Sequence, residues 1–305
     1  MATSNVRAGI APEDDLTQDR AGHVRRRVAF DRVLGALLPL LFLVAILPIA
    51  WLLYYVGSQA LPGFSLAVLT TNPSGATGGL YAPLVGSLAI LGVATLVSIA
   101  FGFLGGLMTA EYLSEEWAGW IRITANVMVG TPAIIVGLFG YLTFVIYFHW
   151  GLSLAAAGVT LGIFMTPYVF RATDIAFSSV PAHIREAALG SGARPRQYIL
   201  RVAGTIAFPQ VLGGIFLAMA IGAGETAPLV LTTTSVELPP TGLLQPASAL
   251  TLYIWSGFQT GYILPSAIRL AFQSAFLLLA IVIGVNIVVR LIAARSRRRL
   301  QGLFQ

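Results

Sequence analysis

Six predominantly apolar stretches, residues 33–56, 83–108, 123–147, 151–170, 210–233 and 267–291, limit what this chain can fold into. A helix rises 1.5 Å per residue, so about 20 such residues cover the ~30 Å hydrocarbon core of a bilayer. Within lipid every backbone amide must be satisfied inside the segment, and an apolar run of this length does so as a helix. Glycine and proline recur in these runs, as membrane helices tolerate. The rest of the chain agrees, with 57% hydrophobic and only 10% charged residues, against about 25% charged in a soluble domain. The expected fold class is therefore an all-α integral membrane protein with six transmembrane helices.

The arginines set the orientation. All 18 basic residues are arginine, and six of them precede the first apolar stretch. Arg122, the five arginines between 171 and 209, and the five from Arg290 to Arg299 fall on the same side of the six-helix path. The intervening loops 57–82, 148–152 and 234–265 carry none. By the positive-inside rule the arginine-bearing side is cytoplasmic and both termini lie inside. The net charge of +6 thus maps to membrane edges and implies no nucleic acid. The apolar part of 33–56 exceeds the 7–15 residues of a signal-peptide core, so it reads as a retained anchor. Residues 1–30 are expected to be a disordered cytoplasmic tail, 31–294 the transmembrane domain and 295–305 a basic tail. Tyr253, Trp255, Phe258 and Tyr262 in external loop 234–265 suit the membrane interface, with a docking surface as the alternative. With no cysteine, disulfides and thiolate metal sites are excluded, and three scattered histidines make no metal site.

Loop 171–209 reads as two short helices, the first capped by Thr173 or Asp174 and closed by Pro181, with Arg171 and Asp174 as a local ion pair. Then follow Arg185, Glu186, Ala187 and Ala188, with Gly190 and Gly192 permitting a turn. The alanines offer a flat face and Glu186 a charge for a soluble partner; spacing alone is equally compatible with a solvated amphipathic loop. Glu186-Ala187-Ala188 followed by Gly192 resembles the EAA loop of importer-type ABC permeases. The likeness extends upstream through Pro167-Tyr168, Arg171-Ala172-Thr173 and Val180-Pro181. Gly130-Thr131-Pro132-Ala133 through Gly137 to Tyr141, and Gly224-Glu225-Thr226-Ala227-Pro228-Leu229, are similar to segments of the A-type permease of phosphate-specific ABC importers. The resemblance covers about residues 30–292 and departs at Gly204-Thr205, where the family has Leu-Pro, and at Ile221-Gly222-Ala223, where many relatives carry an arginine.

That resemblance implies a MetI-like ABC-permease bundle and a pore subunit without enzymatic activity or cofactor. It also implies two ATPase subunits, a homologous second permease, an external phosphate-binding protein and inorganic phosphate as partners, with Arg185, Glu186, Ala187, Ala188 and Gly192 coupling to the ATPases. The phosphate-cradling G-x-x-x-x-G-K-[ST] motif is absent, and the chain has no lysine to build one. Alternatives are a permease for another oxyanion, such as sulfate or molybdate, and a secondary transporter.

Glu225 stands in an apolar segment, where a lipid-facing carboxylate costs about 2.5–3.5 kcal/mol. It is expected to face the bundle interior, a translocation path or a partner; a structural role, bonded to backbone or to Thr226, is the alternative. Gly224, Thr226 and Pro228 would let the helix unwind there. Counting from Gln210 places Glu225 about 22 Å deep, and counting from Arg290 places Arg269 about 31 Å away. Both then lie in the outer half, and Glu225 is expected to face Arg269 or an arginine of a second permease. Arg269 as an interfacial anchor is the alternative. Asn126 and Asn286 read as interhelical packing residues.

Overall fold

The computed structural model describes residues 13–75 and 77–301, nearly all helical. It comprises two units, Met1–Tyr55 and Val56–Gln305. The first consists of most of helix α1 (Glu13–Ala60), whose part Leu37–Ala60 is long and apolar enough to cross a membrane. The helix begins at Glu13, so residues 13–30 are helical where disorder is expected; residues 1–12 lie outside the described residues. Glu13, Asp14 and Asp15 open the helix, the end at which negative charge is favourable.

The second unit contains α2 (Tyr81–Glu111), α3 (Glu115–Gly130), α4 (Ala133–Tyr147), α5 (Leu154–Ser178) and α6 (Ala182–Gly190). After these come α7 (Pro195–Gly224), α8 (Ala227–Thr232), α9 (Leu250–Thr260) and α10 (Pro265–Gln301). A small hairpin pairs Pro73 with Gly78 and Ser74 with Thr77. Besides α1, the helices α2, α5, α7 and Pro265–Ile287 of α10 are long and apolar enough to span a membrane. The expected span 123–147 is not one straight helix: α3 and α4 meet at 98°. Pro132 explains the break, because a residue before proline is driven out of helical geometry. Thr131 accordingly takes φ −74°, ψ 127°.

Helix α5 is the centre of this unit: 72% of its apolar window is buried, against 22–28% for α2, α7 and α10. Small residues let its neighbours approach closely, as membrane helices require. A Cβ added at Gly158 or Gly162 of α5 would lie 2.6 Å from Val93 or Val97 of α2. Further along, the roles exchange. A Cβ at Gly102 or Gly106 of α2 would meet the carbonyl oxygens of Thr166 or Phe170 at 2.7 and 2.6 Å. On the other side, Gly214 of α7 lies against Ala172, and Gly222 against Met165. Helix α5 also continues through Thr173 and Asp174, which are therefore not caps. Thr173 Oγ1 donates to Val169 O at 2.9 Å within the helix.

The end of the loop after α8, residues 247–250, folds back into the protein, while most of 234–245 is exposed. Thr233 Oγ1 donates to Ala247 O at 2.9 Å, and the Val236 N–H donates to Ser248 Oγ at 2.6 Å. The Leu250 N–H donates to Ser87 Oγ of α2 at 2.8 Å, and Gly86 leaves room for the Ser248 carbonyl. The same loop satisfies the start of α5, where Leu154 and Ala155 donate to the carbonyls of Gln245 and Leu243, both at 2.8 Å.

Candidate functional site

The α7–α8 junction is a backbone break centred on Glu225. Helix α7 ends at Gly224, Glu225 is extended (φ −75°, ψ 129°), and α8 begins after Thr226, with Pro228 in its first turn. The Glu225 N–H donates to Gly222 O at 3.1 Å, the last tie to α7. Gly222 rests on Met165 near the middle of α5, which places the break close to the midplane of the bundle. Pro228 is fully buried. A Cβ at Gly137 of α4 would stand 2.8 Å from Pro228 Cα and 3.2 Å from Ala227 O. The two motifs singled out in the sequence, Gly130–Tyr141 and Gly224–Leu229, are thus packed directly together.

Glu225 is half-buried and Gly224 exposed. Among the described residues the ion pairs are Arg122 with Glu115 and Asp174, and Arg185 with Glu111; none includes Glu225 or Arg269. The two lie apart. Gly224 and Thr226 line a cavity of about 640 Å³ with residues of α9, whereas Arg269 lines another with Gln59, Pro62 and Phe272. Helix α9 is what the sequence reading missed. Its residues Thr251, Trp255 and Phe258, with Tyr262 just beyond its end, line the cavity beside the break. The repeat at 251, 254/255, 258/259 and 262 is a helical period and was the available signal.

The segment around Glu186 forms helix α6. Pro181 precedes it, and Gly192 stops it in the left-handed conformation (φ +88°). The stop is a Schellman motif: Gly192 N–H donates to Leu189 O at 3.0 Å and Ala193 N–H to Ala188 O at 3.2 Å. Ala188 packs inward against the cluster of Phe177, Tyr198, Ile199 and Ala203. Glu186 and Ala187 are exposed. Arg185 turns back: its Nη1 lies 3.5 Å from Glu111 Oε2 at the end of α2, and its guanidinium sits 5.7 Å from the Tyr198 ring centroid. Glu111 is nearly fully buried, a feature without local sequence signal. The helix is followed directly by α7, capped at Arg194, whose N–H donates to Gln197 Oε1 at 2.9 Å.

Asp174 pairs not with Arg171 but with Arg122 of α3. Nε donates to Oδ2 at 2.8 Å and Nη2 to Oδ1 at 3.0 Å, and Nη1 reaches Glu115 at 3.0 Å. The two-pronged geometry matches a guanidinium to a carboxylate better than an adjacent residue on the same helix can. Arg171 and Asn126 line the polar cavity of about 700 Å³ around this pair. Asn286 bonds only within its own helix, donating to Val282 O at 2.8 Å, so it does not bridge helices. Among the described residues no group of acidic, histidine or cysteine side chains could hold a metal.

Residues 102–302 match the family of binding-protein-dependent transport system inner membrane components. The phosphate transport system permease protein PstA 2 of Mycobacterium bovis is 34% identical over 93% of this chain and 94% of its own length. PstA of Yersinia pestis is 30% identical over 81% of this chain and 84% of its own. Among solved structures, a chain of the inward-facing MetNI methionine ABC transporter superposes with a TM-score of 0.57 at 18% identity. It covers 71% of this chain and 95% of that one. The expected MetI-like bundle is met in fold.

Proposed function

The chain belongs to the family of binding-protein-dependent transport system inner membrane components, and we propose that it is the permease subunit of an ATP-driven importer of inorganic phosphate. It is a multi-pass protein of the bacterial inner membrane. Phosphate as cargo is supported by the relatives named as phosphate transport permeases, matched over nearly the whole chain. Half of the translocation path would be formed here and the other half by a homologous second permease. An external phosphate-binding protein would deliver the anion, and two ATPase subunits would hydrolyse ATP. Both termini would be cytoplasmic.

The observation that carries this reading is α6. A nine-residue helix is stopped by a left-handed glycine, tied down on one side and left open at Glu186 and Ala187 on the other. Such a helix suits insertion into a groove of a soluble motor. Glu186 and Ala187 would touch the ATPase, Ala188 and Arg185 would seat the helix on its own subunit, and Gly192 would set its exit. At the other end of α7, Gly224, Glu225, Thr226 and Pro228 would border the path. Glu225 has no cation of its own chain beside it among the described residues. Its counterpart is then an arginine of the second permease, or the proton of a protonated phosphate, for which a carboxylate is the acceptor. Arg269 serves as an outer anchor or gate residue.

Labelled-phosphate uptake by membranes holding the whole complex tests the cargo. Competition by unlabelled phosphate but not by sulfate is the expected result, and the reverse order would assign another oxyanion. Co-purification of the ATPase, lost on Glu186→Lys, tests the coupling. An ATPase retained at wild-type level in that variant would remove α6 from the interface.

A further inference from the structure

Helix α9 separates two cavities. Tyr253, Ser256 and Thr260 line one of about 260 Å³ on the side of Gly75 and Leu270. Thr251, Trp255 and Gln259, spaced every four residues, line the cavity of about 640 Å³ that also receives Gly224 and Thr226 of the break. Positions i and i+4 share one face of a helix, so the three form a single polar-tipped stripe opposite the break. Thr251 is only 4% exposed, and its Oγ1 has no hydrogen-bond partner. A buried hydroxyl left unpaired is costly, and most such groups in folded proteins find a partner. Thr251 borders the cavity beside the break.

We propose that the Thr251–Trp255–Gln259 face of α9 is the outer wall of the anion path, with Thr251 and Gln259 donating hydrogen bonds to the passing tetrahedral oxyanion. The assignment rests on the reading of the chain as a phosphate permease, and it names specificity-determining residues for that activity. The donors are neutral: the Thr251 and Thr226 hydroxyls, the Gln259 amide and the Trp255 indole N–H. No arginine lines this cavity among the described residues. Such a wall replaces part of the hydration shell without holding the anion tightly, which conduction requires. It also explains why an eleven-residue helix is held back against α2 at Leu250 instead of lying free on the outer surface.

The chain contains no cysteine, so a single introduced thiol is the only one on this subunit. The reconstituted transporter, with all its subunits, is prepared with Gln259→Cys, and separately with Ser256→Cys, at a position that lines the other cavity. Each is treated from outside with the anionic thiol reagent MTSES, with the wild-type complex as control. Modification at 259 should lower phosphate uptake about tenfold or more, the scale of losing one polar contact and adding a like charge. Saturating phosphate with its binding protein should slow that modification. Modification at 256 should leave uptake unchanged. Full labelling at 259 with unchanged uptake, or equal effects at 256 and 259, would overturn the proposal. Should the thiol variant not assemble, Thr251→Val, which keeps the shape, should raise KM for phosphate several-fold while ATPase activity persists; an unchanged KM overturns it. A wild-type complex that carries no phosphate would instead defeat the parent reading, so the two failures are distinct.

Discussion

Removing the guanidinium of Arg185 should loosen α6 more than removing the charge of Glu111. The two side chains are 4% and 48% exposed at Glu111 and Arg185 respectively, with 3.5 Å between Oε2 and Nη1. At an effective dielectric of about 20, unit charges at this separation attract by about 4–5 kcal/mol. Taking the carboxylate out of water offsets most of that, and the half-exposed guanidinium is screened. A net tie of about 1–3 kcal/mol remains. Arg185→Ala leaves the carboxylate without a cation, with only the Tyr198 hydroxyl beside it, and should cost that amount. Glu111→Gln leaves an arginine that already reaches water and should cost about 0–1 kcal/mol. The double variant, with no stranded charge, should be milder than Arg185→Ala alone. Amide hydrogen exchange over residues 182–190 in the assembled complex reads this directly. Since about 1.4 kcal/mol is tenfold, Arg185→Ala should exchange about fivefold to a hundredfold faster and Glu111→Gln less than about fivefold faster. Equal protection in the two single variants, or a double variant faster than Arg185→Ala, would refute the reasoning.

Three further outcomes are expected. Gly137→Val should destabilise the protein by about 1–3 kcal/mol, because the new Cβ meets backbone atoms of Pro228 and Ala227 that no rotamer change can move; a thermal midpoint equal to wild type would contradict this packing. Gly192→Ala has open space around it but a φ of +88°, so the cost is conformational, about 1–2 kcal/mol. It should appear as faster exchange at the end of α6 and weaker ATPase retention, while Gly190→Ala, at ordinary helical φ, should change neither. Glu225→Gln should abolish or uncouple phosphate uptake with the complex still assembled, and normal uptake in that variant would remove the carboxylate from the mechanism.

What the sequence conveyed and what it concealed follow from the range of the interactions. Apolar runs are local, and four of the six expected spans lie on continuous helices long enough to cross, while the one expected at 210–233 is interrupted at Glu225 and its crossing-length helix is Pro195–Gly224 instead. The remaining one, 123–147, is broken by Thr131-Pro132, a dipeptide whose extended bias is equally local and could have been read. The unwinding at Glu225 was legible for the same reason, from flanking glycines and Pro228. Long-range pairing was not. Arg171, three residues from Asp174, looks like its partner, yet the carboxylate is held by Arg122 from 52 positions away. That neutralisation lets α5 continue to Ser178 and shortens the cytoplasmic loop expected from residue 171. The tie between Glu111 and Arg185 joins helices separated by three others in the chain, and nothing near either residue announces it.

Helix α7 joins the two halves of the candidate site in one piece. It runs 30 residues from Pro195 to Gly224, about 45 Å at a helical rise, with one wide turn at Tyr198–Ala203 near its lower end. Below it, only Ser191 to Arg194 separate it from α6. Above it, the chain becomes extended at Glu225. A helix delivers displacement along its length, so movement of α6 not absorbed at the wide turn or at Pro209 must arrive at Gly222–Gly224. Helix α8 does not have to follow, because it is held from the side by α4 through the contact of Gly137 with Pro228. The difference between the two motions then falls on the backbone of Glu225 and Thr226, the residues between α7 and the anchored turn. An ionisable side chain at that point changes its surroundings whenever α7 moves against α8. A continuous helix through residue 225 would carry the carboxylate along unchanged, whereas the extended backbone here lets its surroundings differ on the two sides of the break.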